Sequence, residues 1–352
     1  MNEPMHDVDL AERRERVTML RDSAAALVPA DGDLRRVRAW RFAGNGLDAQ
    51  AWALVCEMGW PGLRLAEEQG GSGLGLCEYV ALLEELGKGL APEPLNEVAC
   101  LVSLLPAEWR EPVLRGERLV LPGHGAGLVA DHQGRLLGQA KVSLGKAAHG
   151  WLLMNEDSAW LVDAQGLEGQ ALATQDGGHV LALALNGVPA QRLASSPEQL
   201  RRVRDEAALG VAAYLLGCMQ GAFARTLDYL KVRKQFGREI GSFQALQHRM
   251  VDLHIQIELS RALVEETAAC LDRSVAPGEA QRRIYATRVQ AGDAALRVCR
   301  EAIQLHGAIG YTDEADIGLF LRRVLVAASA WGTQGGYRQG YARLIAEEAF
   351  NG

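Results

Sequence analysis

Apolar side chains fall at helical spacing among charges over residues 7–27, and the same spacing returns over 47–57. The second of these helices stops at Gly59-Trp60-Pro61-Gly62. A Gly-rich loop, GGSGLG at 70–75, leads into a helix through EYVALLEELGKGL. The string Ala91-Pro92-Glu93-Pro94 forces extended chain before a further helix over 95–104. From 117 to 193 the texture changes to short apolar runs between Gly, Asp and Asn turns, which predicts five or more strands. That many strands in so short a stretch suggest a small barrel or sandwich.

Helical spacing resumes at SSPEQLRRV, where Ser196 is placed as an N-cap, Pro197 as the first helical residue and Gln199 as the capping-box partner. Small residues Ala207, Ala208, Gly210, Ala212 and Ala213 permit close packing along this helix, which the pattern extends to about Arg233. Further helices are expected over 243–273, 279–306 and 314–330, the break between the first two being Val275-Ala-Pro-Gly278. Four long antiparallel helices form a bundle. The expected organisation is mostly α with a central β domain: helical 1–114, β domain 115–195, bundle 196–352.

A length of 352 residues with 48% apolar content fits a multi-domain globular chain. The net charge of -7 argues against nucleic acid as the main partner. Six scattered cysteines without CxxC spacing read as buried thiols of a reducing compartment rather than a disulfide framework or metal site. The charged N-terminus has no apolar signal core, and no segment reads as long and apolar enough to cross a bilayer, so a cytoplasmic protein without membrane partners is expected.

The densest chemistry lies in YLKVRKQFGREIGSFQALQH, 229–248. Arg233, Gln235, Gln244 and Gln247 fall within one bend, among Phe236 and Phe243. A helix restarting near Ser242 offers free N–H groups to an anion. Arg233 adds a bidentate fork suited to a pyrophosphate, and the glutamine amides suit flavin or ribose edges. An arginine at a helix end is by itself only a cation suited to the helix dipole; the surrounding amides and aromatics are what point to a ligand. In a second cluster, 302–323, Gln304 precedes Gly307 and Gly310, where a ligand approaches backbone closely or the helix is simply C-capped.

Together these strings resemble the acyl-CoA dehydrogenase family over most of the chain. GWPGL at 59–63, EEQGGSGLG at 67–75 and LLEELGKGLAPEP at 82–94 are similar to its N-terminal domain, and YLKVRKQFGREIGSFQALQH and QLHGAIGYTDE to its C-terminal bundle. The resemblance implies FAD as cofactor, an acyl-CoA thioester as substrate, electron-transfer flavoprotein as electron acceptor, and a role in fatty acid or steroid side-chain degradation. Arg233 matches the arginine that reaches the FAD pyrophosphate of a neighbouring subunit, with Gln235 and Phe236 beside it. Phe243 and Gln244 match the pair at the adenosine side. Gln304, Leu305, His306, Gly307 and Ala308 match the Q-L-x-G-G turn, Ala308 replacing a glycine. Groups that serve across an interface imply a homo- or hetero-oligomer.

The chain also departs from the family. Its T-E-P…G-S-D loop has no counterpart between Arg115 and Gly138, and the W-[IV]-[ST] strand aligns with Val142-Ser143-Leu144. Eight residues follow Arg323 before Gly332, where the family often carries the glutamate that takes the α-proton. Relatives that carry this glutamate in the first bundle helix align it with Ala207, one residue from Glu206 and about 100° away around the helix. The catalytic residue is therefore unassigned. The resemblance then implies a subunit that lends the cross-subunit half of an FAD site to a homologous partner carrying the glutamate. The alternatives are a structural or regulatory homologue without flavin, and a homodimeric enzyme using Glu206.

Overall fold

The computed structural model describes residues 3–42, 44 and 46–351. Six helices come first: α1 (Glu3–Ser23), α2 (Arg35–Trp40), α3 (Ala49–Glu57), α4 (Leu76–Lys88), α5 (Leu95–Leu101) and α6 (Ala107–Leu114). Seven strands follow: β1 (Val120–Ala130), β2 (Arg135–Ser143), β3 (Gly150–Met154), β4 (Ala159–Asp163), β5 (Gln170–Ala173), β6 (His179–Pro189) and β7 (Gln191–Arg192). Then come α7 (Pro197–Val232), a two-strand hairpin β8 (Lys234–Gln235) and β9 (Arg238–Glu239), α8 (Gln244–Asp272), α9 (Pro277–His306), α10 (Ile317–Ala327) and α11 (Gln334–Asn351). The fold is mostly helical with a central sheet, as the periodicity predicts. The chain divides into two compact units, one of residues 35–74 and 92–207, the other of residues 1–34, 75–91 and 208–352.

In the first of these units the seven strands join one sheet of order β5-β6-β2-β1-β3-β4-β7. Neighbours are antiparallel except β1 and β3, which run parallel. Its core is Trp151, Leu152, Leu153, Val142 and Val162, all buried. Helix α3 starts where Asp48 accepts from the amides of Gln50 and Ala51. The predicted capping box forms as written: Ser196 N–H donates to Gln199 Oε1 (2.9 Å), and Gln199 N–H donates to Ser196 Oγ (3.2 Å).

The other unit is a helical bundle in which α9 packs against α8, α10 and α11, and α4 packs against α1 and α8. Helices α4 and α7 meet backbone to backbone. A Cβ on Gly217 would run into Glu84 O, and one on Gly87 into Tyr214 O, so glycine is required at both. The buried Glu84 carboxylate accepts from Arg21 (2.9 Å), Gln220 (2.6 Å) and Arg261 (2.7 Å), which offsets its desolvation.

Three expectations are corrected. The C-terminal helices number five, because the chain turns at Trp331–Gly332 and resumes as α11 against α9. Helices α2 and α6 are additional, and α6 carries Pro112 inside it. An 18-residue window of α7 is apolar enough to span a bilayer, but 72% of it is buried inside the protein, where its small residues serve helix packing.

Candidate cofactor site and the position of the base

Helix α7 ends at Val232, and the chain reverses in a two-residue turn, Phe236–Gly237, with φ of 54° and 78°. Two positive φ angles are the geometry that matches the twist of a hairpin. Lys234 pairs with Glu239 and Gln235 with Arg238. Ile240 N–H returns to Arg233 O (2.8 Å), fixing the base of the hairpin. Phe236 is 91% exposed. Its ring stands edge-on to Phe243 at 6.2 Å, and the Arg238 guanidinium lies 4.0 Å over Phe243. Helix α8 then starts without a side-chain cap, so its first turn keeps donors for a ligand. Arg233, Gln235 and Gln244 are exposed beside it.

The second predicted cluster lies at the end of α9. Gly307 has φ 69° and leads into a 3₁₀ turn, Gly307–Tyr311. Gln304, Gly307 and Ala308 are exposed, whereas Leu305 is buried in the bundle. The His306 ring stacks on Tyr229 at 4.4 Å, and Tyr229 Oη donates to His306 O (3.2 Å). Burial pushes the His306 pKa down. Tyr229 sits at the end of α7, so this stack joins the hairpin to the turn. Periodicity gave no hint of that link.

Gly332 lies in a left-handed conformation, φ 131°, after Trp331 at φ 56°. A Cβ at Gly332 would stand 2.9–3.0 Å from the Tyr337 ring and hydroxyl. Tyr337 Oη donates to Trp331 O. Arg288, fully buried on α9, donates to Ala328 O (3.1 Å) and Ala330 O (3.0 Å) and lies 5.0 Å over the Tyr337 ring. The segment before Gly332 is therefore held from beneath by one guanidinium and one phenol. Neither residue stands out in the sequence.

Two descriptions of known protein families match the chain: Acyl-CoA dehydrogenase, N-terminal domain, over residues 14–103, and Acyl-CoA dehydrogenase, C-terminal domain, over 202–344. The acyl-CoA dehydrogenase IpdE2 of Mycolicibacterium smegmatis is 33% identical over 340 residues, 96% of this chain and 99% of that protein. The chain belongs to the acyl-CoA dehydrogenase family. A variant of the Tcur3481–Tcur3483 steroid ACAD superposes with a TM-score of 0.86 at 28% identity, covering 96% of this chain and 99% of the other. The ChsE4–ChsE5 complex from Mycobacterium tuberculosis gives a TM-score of 0.84 at 25% identity, covering 95% and 98%.

Within this acyl-CoA dehydrogenase chain, the donor set at 233–244 and 304–308 fits FAD by its chemistry: an exposed guanidinium, three exposed glutamine amides, an uncapped helix start and aromatic rings. The sheet supplies less. Val142 is core, Ser143 is exposed, and Leu144, at φ 53°, spends its N–H on His179 O (2.9 Å). Glu206 is committed as well: Arg64 Nη2 donates to it at 3.0 Å and Arg202 Nε at 2.8 Å. Both guanidinium groups hold its carboxylate in ion pairs. Its neighbour Asp205 is different, since burial pushes its pKa up to about 6 against the pull of Arg201 and Arg204. Arg323 of the Arg322–Arg323 pair donates to Tyr214 Oη (2.9 Å), while Arg322 is exposed. Among the described residues no His, Cys, Asp and Glu group suits a metal ion.

Proposed function

We propose that this chain is one subunit of an FAD-dependent acyl-CoA dehydrogenase that oxidises an acyl-CoA thioester to its 2,3-enoyl form. It lends its cofactor groups to an FAD held mainly by a homologous partner subunit, which carries the base. The observation that carries the reading is an asymmetry within one chain. Arg233, Gln235, Phe236, Gln244 and Gln304 are presented outward, while a side chain at Gly332 would strain the backbone at φ 131° and press on the Tyr337 ring.

When bound, FAD accepts the hydride from the β-carbon of the thioester. The chain's own residues bind and orient. Arg233 would pair with the pyrophosphate as a charge-assisted fork, the open first turn of α8 would add backbone N–H groups, and Gln235 and Gln244 would hydrogen-bond adenosine and ribose edges. Phe236 and Phe243 would shield that part of the cofactor from water. The turn Gln304–Ala308, with Leu305 and His306 anchoring it inside the bundle, would offer backbone to the cofactor through Gly307 and Ala308. Electron-transfer flavoprotein would be the electron acceptor of the assembled enzyme. The similar ChsE4–ChsE5 complex and Tcur3481–Tcur3483 steroid ACAD support a heteromeric reading, and the second of them supports a bulky, steroid-derived acyl group. The three-part organisation 1–114, 115–195 and 196–352 belongs to the same proposal.

The test is the visible spectrum of the purified chain, alone and after co-expression with a homologous subunit. The expected result is little flavin alone and a full complement in the complex. A full complement and dehydrogenase turnover by the chain alone would sink the partner reading. No flavin in either preparation would favour the non-catalytic homologue.

A further inference from the structure

The hairpin after α7 has one neutral face and one charged face. Residues directly opposite one another in an antiparallel pair project to the same side, and successive residues alternate. Lys234 and Glu239 are opposite, and their side chains meet at 3.3 Å, which neutralises that side. Gln235 and Arg238 are opposite and project to the other side. Arg233, two residues before Gln235, falls on this second side, its carbonyl taken by Ile240 N–H. Arg233 and Arg238 are then diagonal neighbours, with about 7–8 Å between their backbones, so two long side chains can reach one ligand. Among the described residues neither has an ion-pair partner.

Arg238 is also fixed in place. Its guanidinium lies 4.0 Å over the Phe243 ring, and Phe243 immediately precedes Gln244 at the start of α8. A guanidinium stacked on an aromatic face keeps its N–H edge available for hydrogen bonds. Packing on Phe243 accounts for the position of Arg238 but not for the charge pattern around it. The chain as a whole has a net charge of -7, yet residues 229–248 hold Lys231, Arg233, Lys234 and Arg238 against one acid, Glu239. Lys234 takes that acid, and Lys231 lies 3.7 Å from Asp228. The two cations left over are the two on the same face. Like charges brought together repel, and an anion between them relieves the repulsion. A pyrophosphate linking two nucleosides carries one negative charge on each phosphate, and each matches one guanidinium fork.

We propose that Arg238 is a further cofactor-binding residue, paired with Arg233 in a two-arginine clamp on the FAD pyrophosphate and steadied by Phe243. The proposal rests on the shared-cofactor reading and deepens it, because the site then neutralises both phosphates rather than one. It is tested on the complex obtained by co-expression with a homologous subunit, with flavin content read by absorbance and FAD release on dilution by fluorescence. Arg238→Gln removes the charge and Arg238→Lys keeps it. Arg238→Gln should raise the FAD dissociation constant roughly tenfold or more at low salt, as loss of a charge-assisted hydrogen bond does. It should also flatten the dependence of that constant on ionic strength, since one screened ion pair is gone. Arg238→Lys should recover most of the affinity and the salt dependence, and the melting temperature of the isolated chain should be the same for all three. An unchanged dissociation constant for Arg238→Gln, in a complex whose wild type holds FAD, overturns the clamp alone. So do equal losses for Arg238→Gln and Arg238→Lys with the salt dependence intact, which would make packing on Phe243 the role of the side chain. A wild-type complex that holds no flavin overturns the shared-cofactor reading, and the clamp with it.

Discussion

Tyr337 occupies the space into which a side chain at Gly332 would project, its ring carbons and hydroxyl 2.9–3.0 Å from the position a Cβ would take. The Gly332 backbone, at φ 131°, is also one that residues with a Cβ rarely adopt. Gly332→Glu should therefore not restore an independent dehydrogenase. Overpacking and backbone strain should cost about 1–3 kcal/mol. A lowered thermal midpoint without single-turnover bleaching of added flavin by acyl-CoA is the expected outcome. Turnover by the isolated Gly332→Glu chain would show that the segment rearranges freely.

Arg288 gives a stability prediction. Its buried guanidinium satisfies Ala328 O and Ala330 O, and its Nε has no partner among the described residues. Arg288→Met leaves two carbonyls without donors and should cost about 3–5 kcal/mol in urea unfolding, with Arg288→Lys intermediate. A loss under about 1 kcal/mol would mean that the 328–334 turn is held by other contacts.

The capping box yields a smaller effect. Ser196→Ala removes one of two reciprocal bonds at the start of α7 and should destabilise by about 1 kcal/mol. Gln199→Ala should act in the same direction, and the double variant should lose less than the sum, because the two bonds share partners. Strict additivity in a denaturant cycle would show that the bonds act independently.

These cases also mark what was legible in the sequence. The box at Ser196–Gln199 and the loop ending at Gly75 are local signals, and each marks a real helix start, whereas the cap at Asp48 was not read. Helix α11 was not legible, since Gly335, Gly336 and Gly340 dilute its apolar period and its anchor is the edge-on contact of Tyr337 with Tyr285, 5.4 Å apart. Arg288 reads as an ordinary polar residue of α9 because the carbonyls it serves lie 40 and 42 residues further on. The glycine at 332 could be read as a missing glutamate, but the phenol that fills its space is visible only once α11 is in place.

Asp205 makes stability depend on pH. Burial, with help from Glu206, raises its pKa from 3.8 to about 6, so the folded protein holds this proton to higher pH than the unfolded chain does. Its contribution is fully present below about pH 4 and is lost as pH rises through about 6. Asp205→Asn should therefore be close to neutral near pH 4 and stabilising at pH 7.5, by on the order of 2 kcal/mol. Equal effects at both pH values in urea titrations would contradict the burial argument.

Arg233 separates binding from folding. It is exposed, and its backbone, not its guanidinium, anchors the hairpin through Ile240. Arg233→Ala in the co-expressed complex should weaken flavin retention by about 2 kcal/mol, or roughly thirtyfold, with the melting temperature of the isolated chain unchanged. Flavin fluorescence released on dilution provides the readout. Equal retention by wild type and variant would remove Arg233 from the cofactor site.

The crossing at Gly87 and Gly217 governs how the molecule can be taken apart. Gly87 lies in the stretch matching the family's N-terminal domain, Gly217 in the stretch matching its C-terminal domain, and their helices touch with no side chain between them. A fragment beginning near residue 202 would leave a backbone groove, bordered by small residues, that no side chain of its own could fill. The two matched stretches are separate in sequence but cannot be exchanged as separate parts. A graft between relatives that joins one protein's first hundred residues to another's last hundred and fifty must preserve the glycines on both sides of this crossing.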